Sequence, residues 1–124
     1  MNTIPNILII ENDSMTLDIL SIIFEKEKYN LTIAKDGNEA ISLVQKKGFD
    51  LILIAILIPP RSGLEVINYL NKNYPNIPIV ALSSLADEEK TVEEAFQFGV
   101  SDFIAKPFNP NELLLRMKRL LKNK

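Results

Sequence analysis

Leu51-Ile52-Leu53-Ile54-Ala55 is apolar at every position, and the apolar run continues through Ile56-Leu57-Ile58. A strand with one face in water alternates polar and apolar residues, so an unbroken run of this length reads as a strand covered on both faces. Short β-branched runs at Asn6–Ile10, Leu31–Ala34, Ile77–Leu82 and Ser101–Ala105 read as four more strands. The segments between them carry apolar residues three and four apart. In Met15 to Glu27, for instance, Leu17, Leu20, Ile23 and Phe24 fall on one stripe, which predicts an amphipathic helix.

Helix starts are marked chemically. Asp36-Gly-Asn-Glu39 and Ser62-Gly-Leu-Glu65 have capping-box form, and Asn109-Pro110-Asn111-Glu112 puts a proline at the first helical position. Gly48 and Gly99 stand where the second and fourth helices should stop. Helices are expected over 14–27, 37–47, 62–73, 86–98 and 109–122. Five β-then-α units in series imply an α/β fold: a parallel sheet with helices on both faces and right-handed crossovers. The doubly wound strand order 2-1-3-4-5 is the common solution, and ligands then bind beyond the carboxyl ends of the central strands.

With 124 residues the chain suits a single domain, taken as 1–124. Its 47% apolar and 24% charged residues are those of an ordinary globular core and surface. Cysteine and histidine are absent, which excludes thiol nucleophiles, Cys/His zinc sites and imidazole bases. A net charge of -2 argues against grip on nucleic acid or an anionic membrane. No targeting or spanning segment is expected, since the run at Ile7–Ile10 stops at Glu11 and Leu51–Ile58 is far too short. A cytoplasmic location is the expectation.

The strand ends carry the polar chemistry: Glu11-Asn12-Asp13 after the first, Ala55 closing the third, Ser83-Ser84 after the fourth and Lys106-Pro107-Phe108 after the fifth. Together with Phe49–Ala55, Ile58-Pro59-Pro60-Arg61-Ser62-Gly63 and Asp102–Phe108, this pattern resembles the receiver domain of two-component response regulators over nearly the whole chain. The resemblance implies a flavodoxin-like (βα)5 fold, a binding and signalling role rather than an enzyme's, and a phosphoryl-accepting aspartate at the end of the third strand. Residue by residue it implies Glu11 and Asn12 at the two metal-site acid positions, Ser83 and Lys106 as phosphoryl-pocket residues, and Phe103 as the switch aromatic.

The acceptor position falls on Ala55, whose methyl neither attacks phosphorus nor ligates a metal. Asp50 begins the strand and should stand at the sheet's other end. Asn12 is neutral where an acid is usual, so no cofactor is required and Mg²⁺, if it binds, should bind weakly. Pro59-Pro60 stiffens the following loop and Arg61 brings a cation to the pocket mouth. Plainer roles stand beside these: Glu11 as a helix-start acid, Asn12 and Asp13 as caps, Ser83 as a turn residue, Phe103 as core, and Lys106 as an ion-pair partner of Glu11.

The leading expectation is a pseudo-receiver that signals by binding. Its docking face is the fourth helix, fifth strand and fifth helix, with Ala95, Phe103, Ala105 and Leu115 on it. Expected partners are an output domain or another regulator, a histidine kinase if the acceptor is restored, and a second copy through that face. The alternative is an ordinary receiver whose aspartate was replaced by engineering. A third reading is a small flavin carrier, which the missing glycine-rich phosphate loop argues against.

Overall fold

The computed structural model describes residues 4–58, 61–84 and 88–122. Its elements are β1 (Asn6–Ile10), α1 (Ser14–Glu27), β2 (Asn30–Ala34), α2 (Gly37–Lys46), β3 (Leu51–Ala55), β4 (Leu57–Ile58), β5 (Arg61–Ser62), α3 (Gly63–Asn73), β6 (Ile79–Ser83), α4 (Glu89–Gln97), β7 (Asp102–Ala105) and α5 (Pro110–Lys122). The main sheet runs β2-β1-β3-β6-β7, and every neighbouring pair in it is parallel. Leaving out the short β4–β5 pair, this is the expected order 2-1-3-4-5.

Burial follows from the position of each strand. β3 and β6 lie inside the sheet and are buried at all of their residues, apolar throughout in β3 and up to Ser83 in β6. Side chains alternate across the sheet, so two core layers form. Leu8, Ile10, Ile52, Ile54, Ile79 and Ala81 pack on one face with Ala40, Val44, Val66, Ile67, Leu70 and Ala95 from α2, α3 and α4. Ile7, Ile9, Leu51, Leu53, Val80 and Leu82 pack on the other with Leu20, Ile23, Phe24, Leu113 and Met117 from α1 and α5.

The caps were legible in part. Asp36 accepts from the Glu39 amide at 2.8 Å, and Glu39 reaches back to the Lys35 amide at 3.0 Å. Ser62 accepts from Leu64 rather than Glu65, and Asn109 caps α5 through the amides of Asn111 and Glu112. Gly99 ends α4 at a φ of 107°, a conformation natural to glycine. α2 ends at Lys46 with Lys47 as its cap, so Gly48 follows the helix end as expected, but without the positive φ of Gly99. The antiparallel pairing of Leu57 with Ser62 and Ile58 with Arg61 was not expected from the sequence. Pro59-Pro60, the Arg61 side chain and the proposed start of the fourth helix at 86 lie outside the described residues.

Gly63 holds α3 against the end of β3. Its amide donates to the Ile56 carbonyl at 2.8 Å. A Cβ there would run into the backbone oxygens of Ala55 and Ile56. Those are backbone atoms, so relief requires moving an element, at a cost of about 2 kcal/mol or more. Urea denaturation of Gly63→Ala should show that loss of stability, and an unchanged midpoint would contradict the close approach.

Candidate functional site

The carboxyl ends of β1, β3, β6 and β7 line up in register. Ile10 is level with Ile54, Ala55 with Leu82, and Ser83 with Ala105. Residues at or one step beyond these ends share one edge of the sheet: Glu11, Ala55, Ser83 and Lys106. The Glu11 amide extends the β1–β2 ladder by donating to the Ala34 carbonyl at 3.0 Å, and the Lys106 amide does the same from β7 to the Ser83 carbonyl at 3.0 Å. The Lys106–Pro107 peptide is cis.

Glu11 is the buried charge of this edge, 2% exposed. Its Oε1 accepts from Lys106 Nζ at 2.5 Å. Its Oε2 accepts from the amides of Asn12 at 3.0 Å and Asp13 at 3.2 Å. A carboxylate taken out of water needs such donors, because leaving it unmatched costs several kcal/mol. The plainer expectation for Lys106, an ion pair with Glu11, is what the structure contains.

The other expected residues divide. Ala55 and Ser83 are both buried at strand ends. Asn12 is exposed. Asp13 caps α1, accepting from the Thr16 amide at 3.0 Å and the Thr16 hydroxyl at 2.6 Å. Asp50 sits at the opposite end of the sheet, where its Oδ2 accepts from the Asn6 amide at 2.8 Å. It is therefore in no position to replace a carboxylate at 55.

On the proposed docking face one residue needs correction. Ala95 is fully buried: it lies on the inner side of α4, in the core layer with Val100, and offers nothing to a partner. Leu115 is 71% exposed and Ala105 is exposed, as a contact surface requires. Phe103 is half-buried and packs on the same core layer. Phe96 on α4, within the expected docking region, is 48% exposed.

A second charged arrangement was missed. Both oxygens of Asp102, at the start of β7, accept from Arg116 Nη1 on α5, at 2.8 and 2.9 Å, and Oδ1 also accepts from the Phe103 amide at 2.8 Å. The Asp102 bond raises the guanidinium's pKa above its ordinary value. This pair fastens α5 to the edge strand beside Phe103. Its signal is an acid and an arginine far apart in the chain, which no local pattern connects.

Comparison with known proteins gives the family. Residues 7–118 match the model of the response regulator receiver domain. The chain is 33% identical over 116 residues to the transcriptional regulatory protein ResD of Bacillus subtilis, covering 94% of this chain and 48% of that protein. It thus spans about half the length of that curated relative. It superimposes on the receiver domain of the Francisella response regulator 1452 with a TM-score of 0.88 at 30% identity, covering 96% of this chain and 98% of that one. A CheY-like receiver domain protein of Methanospirillum hungatei gives 0.90 at 29% identity, covering 98% and 96%. The chain belongs to the receiver domain family of two-component response regulators.

The cap at Asp13 supplies a pH test. Hydrogen bonds from the Thr16 hydroxyl and then the Thr16 amide hold its carboxyl below the ordinary value, with a smaller pull from Lys106. A folded-state pKa below the unfolded one stabilises the fold above the unfolded value, and the gain is lost as pH falls through the folded one. The stability difference between the chain and Asp13→Ala should therefore shrink below about pH 4. Urea titrations along a pH series would show it, and a difference that stays constant into the acid range would contradict the assignment.

Proposed function

We propose that this receiver domain acts as a protein-interaction module in two-component signalling, with phosphoryl acceptance absent from its own chemistry. One observation carries the reading. Ala55 closes the central strand β3 in register between the ends of β1 and β6, and it presents a methyl at the position where the family resemblance places the acceptor. A methyl has no lone pair with which to attack phosphorus.

The surrounding bonds support the same reading. Lys106, the residue that would contact phosphoryl oxygens, donates to Glu11. Mg²⁺ prefers a near-octahedral set of hard oxygens, commonly including one or two carboxylates. Glu11 already has donors on both oxygens, Asp13 is bonded to Thr16, and Asn12 is neutral. Among the described residues, no three acidic side chains are grouped to hold a metal ion. This donor set does not fit a Mg²⁺ site, and the proposed role needs no cofactor.

Signalling would run through the face of α4, β7 and α5, where Phe96, Ala105 and Leu115 are open to a partner. The partners proposed are an output domain, another regulator or a second copy of this chain, in the cytoplasm. No helix among the described residues is long and apolar enough to cross a membrane. The flavin alternative loses its support at the loop after β1, whose amides already serve the Glu11 carboxylate.

A second reading, an ordinary receiver with a single engineered lesion, is favoured by Ser83 and Lys106 standing at their strand ends. Incubation with acetyl phosphate and Mg²⁺, followed by intact mass, tests both. The chain as given should gain no phosphoryl group, and modification at a carboxylate would overturn the proposal. Ala55→Asp in the same experiment separates the readings. A phosphorylated revertant means that the pocket around Ala55 still works, and an unmodified one means that the loss extends beyond the acceptor.

A further inference from the structure

Glu11 and Lys106 follow directly on strands that are not neighbours. β3 and β6 lie between β1 and β7, so their backbones are three strand steps apart, or roughly 14 Å. Their side chains nevertheless meet at 2.5 Å. The bond must therefore cross the ends of β3 and β6, where Ala55 and Ser83 stand. A residue with no side-chain atom beyond Cβ at 55 leaves that path open.

The Glu11 side chain is 2% exposed and that of Lys106 22%. At such depth the attraction is only weakly screened by salt. The ammonium is also tethered to the same chain, so its effective concentration at Glu11 is in the millimolar range or above. An incoming divalent cation would have to displace it, shed tightly held water and make do with one buried carboxylate.

We infer that the Lys106 ammonium is the resident counter-cation of Glu11 and closes this carboxylate to divalent metal. The edge of the sheet is thereby neutralised from within, and the ends of β1 and β7 are tied together without metal or phosphoryl group. This goes beyond the docking proposal and stands independently of which partner the domain binds.

Line broadening by Mn²⁺ at the backbone amides of residues 11–13 and 55 tests it. The chain as given should show no selective broadening there. Lys106→Met should show it, with an apparent Mn²⁺ affinity at least about tenfold higher. Adding Glu11→Gln to Lys106→Met should abolish it again. Equal broadening in the chain as given, or none in a folded Lys106→Met, would overturn the inference. Should Lys106→Met fail to fold, a Mg²⁺ titration of the unaltered chain suffices. Its Asn12 and Asp13 amide shifts should stay fixed to about 10 mM, above the range of weak oxygen-ligand sites. A saturable shift at those amides would overturn the inference by itself.

Discussion

A carboxylate removed from water must be matched by donors, and the carboxyl edge of this sheet is organised around that requirement at Glu11. Two amides of the β1–α1 connection and the Lys106 ammonium provide the match. The first two bonds shape the entry into α1. The third joins the chain's first strand to its last, across a residue separation of 95. Ala55 ends β3, the strand beside β1, as a small, inert residue.

The same edge strand is held from a second direction. Asp102 accepts from Arg116, which seats α5 on β7, and Lys118 pairs with Glu27 at 3.0 Å, which joins α5 to α1. The exposed pair contributes little in water, but the two-oxygen Asp102–Arg116 geometry is directional as well as attractive. Phe103 lies between the Asp102 and Lys106 anchors in the chain and packs on the α4 side of the core. The surface proposed for partners is thus set by packing and fixed charge pairs, which suits a domain read by binding.

Local physics explains what was legible beforehand. Unbroken apolar runs marked β3 and β6, three- and four-residue spacing marked the helices, and Asp36, Ser62 and Asn109 marked helix starts. The alternation of elements then led to the parallel order. The β4–β5 pair was missed because two-residue strands have no periodicity to read. Ala95 was misplaced because an alanine on a helix carries no sign of which side it faces until the helix is docked. Asp102 with Arg116 escaped notice because long-range pairing depends on the finished fold. The strand-end residues were legible only through their order along the chain. Which of two roles Lys106 takes depends on Glu11, 95 positions away.

Lys106 is held by Glu11 across the sheet rather than left free in solvent. The ¹⁵N spectrum of the lysine side-chain ammonium groups measures this directly, because an ammonium bonded to a buried carboxylate exchanges its protons slowly. Lys106 should give a protected signal that disappears in Glu11→Gln. A Lys106 ammonium that exchanges as fast as the surface lysines in the unaltered chain would contradict it.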